Sequence, residues 1–293
     1  MVSMSHYRTS VDPDAPNNPH SFAIGLVGSA KRVLEVGCSV GHVTEHLVAR
    51  GNDLVGIEID PDAAAEARRY ATRVHVLDID LVPVSDVEAG PFDVIVLGDV
   101  LEHLRDPAAA MRDLAGLLTP DGSFVISVPN VGHVDVRLML MHGRWEYQPD
   151  GLLDRDHLRW FTKSSLRQLL ADVGFVAVDV KRVVIGVGGS MLPTGDRDSE
   201  IMRYLEADPE LYTYQFVVEG RRSGEDLLMP ENSPVWPQLG LEREQRDSEV
   251  AALQTHNEAL RNEVEAWHNA RIVRYTRPLR SLWSKIRRTP TAP

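Results

Sequence analysis

The chain has a single cysteine, Cys38, so no intrachain disulfide framework is available to it. No apolar run approaches the roughly 20 residues that cross a bilayer, and the N-terminus has no apolar signal core. Basic charge is scarce over most of the length. The net charge is −12, yet residues 271–293 carry Arg271, Arg274, Arg277, Arg280, Lys285, Arg287 and Arg288 with no acid among them. The chain before that tail is therefore more acidic than the total and lacks the basic face that a nucleic-acid backbone demands. Internal repeats are absent. These absences predict a cytoplasmic protein with no nucleic-acid partner.

With 43% hydrophobic and 25% charged residues in 293, the sequence is long enough for one sizeable core plus appendages. Residues 1–19, with Pro13, Pro16 and Asn17-Asn18-Pro19, read as a flexible arm. The domain is expected over 20–222. Within it, apolar segments near 32–36, 54–59, 74–79, 92–97 and 123–128 read as strands. Helical segments follow the first two, near 43–50 and 61–71, and the fourth, from Pro107 to about Leu118. Thr119-Pro120-Asp121-Gly122 reads as a turn. A helix near 164–173 precedes two closing strands, near 175–185 and 212–219, and the stretch from Asn130 to Ser164 reads as irregular. Strands alternating with helices predict an α/β, Rossmann-like, seven-stranded and mostly parallel sheet with helices on both faces.

Val33-Leu34-Glu35-Val36-Gly37-Cys38-Ser39-Val40-Gly41 joins a strand to a helix through a glycine-bearing turn. Such a turn lets the backbone approach a ligand at a helix N-terminus. The G-x-G-x-x-G spacing of dinucleotide binders is missing. The second strand ends in Val55-Gly56-Ile57-Glu58-Ile59-Asp60, where an acid can accept ribose hydroxyls, and the third ends in Asp78-Ile79, placed to meet an adenine edge.

In this order the segments resemble class I methyltransferases that use S-adenosylmethionine (SAM). The resemblance runs from about Asn18 to Val184 and extends to Phe92-Asp93-Val94-Ile95, Asp99-Val100-Leu101-Glu102-His103-Leu104 and Leu118-Thr119-Pro120-Asp121-Gly122. Ser39 replaces the family's second motif glycine. The resemblance implies that Glu35, Gly37 and Gly41 hold the methionine part of SAM, Glu58 the ribose, and Asp78 with Ile79 the adenine. Cys38, Ser39, Ile59 and Asp99 complete the expected cofactor contacts, with Cys38 a small turn residue rather than a reactive thiol.

Methyl transfer from SAM is an in-line displacement, so the protein must align a nucleophile with the methyl group. A hydroxyl acceptor also needs a base or a metal. Asp99, Glu102 and His103 follow the fourth strand directly, and His157 lies in the polar stretch 152–162. His157 or His103 is the expected general base. Ubiquinone-type and small-RNA O-methyltransferases carry an acid-x-x-Glu-His motif and a later His that bind a divalent metal such as magnesium or manganese, and Asp99, Glu102, His103 and His157 match that set. The plainer reading, preferred here, has Glu102 cap the following turn and His103 pack beneath the cofactor. His133, Arg137 and Arg155 are the expected substrate contacts. Asn130, His133, Arg137 and Gly143 also match a bacterial subgroup linked to cell-surface polysaccharides. Trp145 and Tyr147 read either as a stacking surface for a sugar ring or as ordinary packing.

Residues 223–240 read as a proline-bearing linker. In 241–270, Val250, Asn257 and Val264 with Leu253, Leu260 and Trp267 fall on heptad a and d positions, which suits a short homodimeric coil or a helix folded on the domain. The basic tail, 271–293, suits either a solubilising segment or contact with an anionic membrane at its inner face. Its Thr276-Arg277-Pro278-Leu279-Arg280 resembles the tails of polysaccharide-assembly enzymes. The leading expectation is a SAM-dependent O-methyltransferase of a saccharide hydroxyl. Its alternatives are a small metabolite or quinone-like phenol as acceptor, and a silent scaffold acting through coil and tail.

Overall fold

A computed structural model of the chain describes residues 11–190 and 199–224. Its elements run α1 (Pro19–Val27), β1 (Arg32–Val36), α2 (His42–Ala49), β2 (Asp53–Glu58), α3 (Pro61–Ala67), β3 (Arg73–Val76), β4 (Phe92–Gly98), α4 (Pro107–Gly116), β5 (Leu118–Pro129), α5 (Val134–Met141), α6 (Lys163–Asp172), β6 (Phe175–Val184), α7 (Ser199–Leu205) and β7 (Thr213–Arg222). Three helices open alike. Asn18, Asp60 and Asp106 each precede a proline and accept N–H groups two or three residues on, which starts α1, α3 and α4. Proline suits that first position, where the N–H has no helical partner in any case.

The strands form one sheet in the order β3-β2-β1-β4-β5-β7-β6, parallel except for β7, which runs antiparallel to both its neighbours. The inner strands are mostly apolar because both of their faces are covered, with Glu35 in β1 and Ser123 and Ser127 in β5 as buried polar exceptions. Alternate residues divide cleanly. Val33, Val94, Val96, Val125 and Val217 pack with Ile24, Val27 and Leu47 of α1 and α2. Leu34, Val36, Ile95, Leu97, Phe124, Ile126, Phe216 and Val218 pack with Met111, Leu114, Leu166 and Leu170 of α4 and α6. The seven-stranded, mostly parallel sheet expected from the sequence is therefore the one present.

From β1 the chain moves outward to β2 and β3, then returns to β4 and moves the other way. The connections at the carboxyl ends of β1 and β4 diverge, and a crevice opens between them.

The structure departs from the sequence reading in several places. β3 stops at Val76, so Asp78 and Ile79 follow the strand and do not end it. The Thr119–Gly122 turn lies within β5, which starts at Leu118. Its pairing with β4 steps from Phe92↔Leu118 to Val94↔Ser123, so the extra residues bulge out of the ladder. The stretch after Asn130 contains a helix, α5, whose N-cap is His133. Residues 11–18 are tied to the domain: His46 Nε2 meets Val11 O at 3.1 Å, and the Asn17 side chain bonds both Val184 N and Val184 O on the edge strand β6. The expected linker beyond 224, the coil at 241–270 and the basic tail lie outside the described residues.

Phe124 and Phe175 join β5 to β6 across β7, their rings 4.8 Å apart and both fully buried. Phe124→Ala is expected to lower the unfolding free energy by about 3–5 kcal/mol, read as a lower urea midpoint at unchanged slope.

Candidate active site

The turn after β1 is shaped by close packing. Gly37 has φ +73°, and a Cβ there would lie 2.7 Å from Val100 Cγ2. Gly41, at φ +88°, would bring a Cβ to 2.9 Å from Tyr70 and 3.0 Å from Ala67. Both positions thus need glycine for conformation and for space. Ser39 also has positive φ, at 49°. Its N–H donates to Glu58 Oε2 at 2.7 Å, so the tip of β2 holds the turn. Glu58 Oε1 accepts Ile59 N at 2.8 Å and Asp60 N at 2.9 Å. A carboxylate offers about four acceptor sites, so Oε2 keeps capacity for a ligand hydroxyl.

Glu35 is buried behind this turn and accepts Thr44 Oγ1 at 2.6 Å. Burial pushes its pKa up to about 7, against the Thr44 bond, and the Glu58 charge adds to the rise. Cys38 packs inward against Gly56 and Val74, and burial raises its thiol far above the ordinary range. Ile59 is 63% exposed just past Glu58. Asp78 and Ile79 are half-buried beyond β3, and Asp78 Oδ1 accepts Asp80 N at 3.0 Å.

Asp99 stands past the end of β4 with φ +53°. Although the residue is exposed, its Oδ1 is taken by Gln215 Nε2 at 2.5 Å and Ser127 Oγ at 3.3 Å. Crowding by protein raises its pKa against those two bonds. Gln215 and Ser127 escaped the sequence reading because only the pairing of β5 with β4 on one side and β7 on the other brings them beside Asp99.

Residues Leu101–His103 form one 3-10 turn, and Glu102 points inward, 1% exposed. Neither Glu102 oxygen has a hydrogen-bond partner among the described residues, so it caps no turn, contrary to the plainer expectation. Burial, then the charges of Asp99 and Asp154, push its pKa well up. Glu102, His103 and His157 place one ligand atom each within 4.8 Å of one another. Asp99, fourth in the expected metal set, is not in that group. The two imidazoles meet edge to face, 4.9 Å between centroids. His103 Nδ1 donates to Asp156 O at 3.2 Å, so its Nε2 stays free for a ligand or a proton. Burial, then His103, lowers the His157 pKa and keeps that ring neutral at neutral pH. Leu158 N and Arg159 N both donate to Glu102 O, which fixes the His157 segment over the turn.

The three residues expected on the acceptor side have different surroundings. His133 is fully buried: Nδ1 accepts Asp135 N and Nε2 donates to Ile185 O at 2.9 Å, so it caps α5 and presents no open face. Arg137 bonds Gly132 O and pairs with Asp208, holding α5 to the turn after α7. Arg155 is exposed. Asn130 Nδ2 donates to Thr213 O at 2.7 Å and is a structural pin.

A family described as a methyltransferase domain matches residues 16–180. The chain belongs to that family. It carries a SAM-dependent methyltransferase domain on a Rossmann-like fold. A ubiquinone biosynthesis O-methyltransferase of Psychrobacter arcticus is 30% identical over 166 residues, 54% of this chain and 63% of the relative. A "Probable S-adenosylmethionine-dependent methyltransferase" of Mycobacterium tuberculosis is 29% identical over 192 residues, 62% of this chain and 63% of the relative. The chain thus spans under two thirds of the length of either. Among solved structures, an S-adenosylmethionine-dependent methyltransferase of Mesorhizobium loti is similar, with a TM-score of 0.47 and 18% identity, covering 72% of this chain and all of the other.

Glu35 gives a pH test. An unfolded glutamate titrates near ~4.3. With a folded pKa of about 7, the native state holds a proton that the unfolded chain has lost, so this group's contribution to stability falls as pH rises through that window. Glu35→Gln keeps an acceptor for Thr44 and removes the titration. Urea melts are expected to show the variant gaining on the wild type between about pH 5 and pH 8. A difference that stays flat with pH would mean that the carboxyl is ionised throughout.

Proposed function

We propose that the protein is a SAM-dependent O-methyltransferase of a small-molecule hydroxyl. The turn between β1 and α2, with Glu58, holds the cofactor, and Glu102, His103 and His157 receive the acceptor. The observation that carries this reading is the buried, unpartnered carboxylate of Glu102 packed with two imidazoles at the carboxyl end of β4, next to the glycine turn.

SAM supplies a methyl group on a sulfonium, moved by in-line displacement. The protein's work is then to orient the hydroxyl and manage its proton. His157, neutral by burial, is suited to accept that proton, and His103 stands beside it. One carboxylate and two imidazoles also suit a divalent cation, and a buried carboxylate with no protein partner is the donor such an ion would satisfy. Glu102, His103 and His157 would hold it, and it would lower the pKa of a bound hydroxyl. Asp99, held by Gln215 and Ser127, lines the same crevice.

Two acceptors fit a hydroxyl-directed site. A saccharide in surface-polysaccharide assembly was expected from the subgroup likeness and the basic tail, and the tail lies outside the described residues. A quinone-like phenol is favoured by the likeness to the Psychrobacter ubiquinone biosynthesis O-methyltransferase.

Calorimetry with SAM, its demethylated product S-adenosylhomocysteine (SAH) and NAD tests the cofactor half: SAM and SAH are expected to bind and NAD to give no heat. Glu58→Ala should weaken SAH about tenfold or more, or roughly 1.4 kcal/mol. Absence of SAM and SAH binding would overturn the reading. Transfer of labelled methyl from SAM to catechol tests the acceptor half, with His157→Ala expected to lose about 100-fold or more of the rate at unchanged SAH affinity. The metal is read directly by Mn²⁺ paramagnetic resonance, with the bound signal expected to vanish in Glu102→Ala. No bound Mn²⁺ in the wild type would leave His157 or His103 acting as base alone.

A further inference from the structure

Five large apolar side chains stand exposed between residues 140 and 158: Leu140 at 50%, Met141 at 52%, Trp145 at 37%, Tyr147 at 52% and Leu158 at 43%. Two of them belong to an aromatic cluster. Trp145 meets Trp160 edge to face at 5.6 Å and Tyr147 at 6.3 Å, and Tyr147 lies 6.3 Å from Trp160, its ring tilted. Trp160 is half-buried, and its Nε1 is a buried N–H with no acceptor among the described residues. A buried donor left unbonded is costly, and a ligand acceptor would satisfy it.

This cluster and His157 are built on one piece of chain. Gln148, next to Tyr147, donates its N–H to Leu153 O at 2.9 Å, and its carbonyl accepts Arg155 N at 3.1 Å. His157 N donates to Asp154 O of the same loop at 3.2 Å. Leu158 and Arg159, between His157 and Trp160, are both fixed to the Glu102 carbonyl. Three chain steps span at most about 11 Å, so Trp160 stands within that reach of the expected base. The underside of the loop is anchored by Leu152 and Leu153 against Val136 and Met139 of α5, which leaves Trp145 and Tyr147 on the outside.

We propose that Trp145, Tyr147 and Trp160 form the ring-binding subsite for the acceptor, taking the apolar face of a neutral hydroxylated ring while an oxygen of that ring accepts the Trp160 N–H. The inference rests on the methyltransferase reading above and gives it a substrate class. Rings with an apolar face stack on aromatic side chains without requiring charge. The exposed aliphatic residues at the end of α5 and at Leu158 extend the same surface. Trp145 and Tyr147 are the rings that turn to admit the ligand to the Trp160 N–H. A phenol and a sugar both offer such a face, and the test separates them.

The experiment is saturation-transfer NMR on the SAH-loaded protein with catechol in one arm and methyl glucoside in the other. At least one probe is expected to receive saturation through its ring protons and to bind at least fivefold more weakly to Trp145→Ala and to Tyr147→Ala. Trp145→Phe and Tyr147→Phe, which keep an apolar ring, should restore binding. SAH affinity reports whether each variant has folded, and where an alanine variant loses it the phenylalanine variants decide. Binding of catechol alone assigns a phenolic acceptor, and of methyl glucoside alone a saccharide. If neither probe binds, or if the alanine variants bind as the wild type does, the subsite proposal is overturned. Should SAH fail to bind the wild type, the methyltransferase reading falls, and the same titration on cofactor-free protein still decides the subsite.

Discussion

A carboxylate buried without a hydrogen-bond partner sets the terms for the acceptor end of this protein. Taking an ion of that size out of water costs several kcal/mol unless something in the interior answers its charge. Glu102 is 1% exposed with both oxygens unpartnered, and the neighbouring charges of Asp99 and Asp154 make ionisation harder still. A neutral glutamic acid, or one facing a cation, relieves that cost. The 3-10 turn carrying Glu102, the two imidazoles beside it and the 156–159 segment pinned to its carbonyl all hold the group in place. An arrangement serving only stability would more easily place an apolar residue there.

The cofactor end is built differently. Its chemistry is mostly backbone: glycines at positive φ, amide N–H groups turned toward one carboxylate, and a helix start behind them. Glu58 ties the β1 turn to the tip of β2, so a ligand bound across both meets a surface already in position. Binding then orders little further, which limits the entropic cost of holding the cofactor. Glu35 and Cys38 support that turn from below, one through Thr44 and the other by filling the space that Gly56 leaves.

This contrast explains what could be read from the sequence. Gly37, Gly41, Glu58 and the Asp-Pro helix starts are legible because local backbone geometry demands particular residues at fixed spacing. The apolar runs of β1, β4 and β5 are legible because each strand is covered on both faces. The acceptor end resists such reading. Its loop, 142–162, is irregular, held by single bonds such as those of Gln148 to Leu153 and Arg155, and no period marks them. His133 illustrates the difficulty: its match to the subgroup pattern suggests a substrate contact, yet it serves as a helix cap whose acceptor, Ile185 O, lies 52 residues away. The bulge in β5 was hidden for a related reason, since Pro120-Asp121-Gly122 has the composition of a turn whether or not the strand resumes its register.

The least legible feature is the direction of β7. In a sheet of parallel strands the carboxyl ends carry the chemistry, and residues at strand starts lie on the far side. β7 runs the opposite way between β5 and β6, so its first residues arrive at the active end. Thr213 accepts Asn130 there, Tyr214 approaches His133, and Gln215 bonds Asp99 and Ser127 together. A strand that looks like mere closure of the sheet thereby delivers the only side-chain amide on Asp99 among the described residues. Asp99 sits in the left-handed region just past β4, where aspartate is better tolerated than most residues, and Gln215 and Ser127 fix its carboxylate there. The antiparallel insertion thus does more than complete the core: it carries a polar restraint across two strands to the crevice where β1 and β4 part.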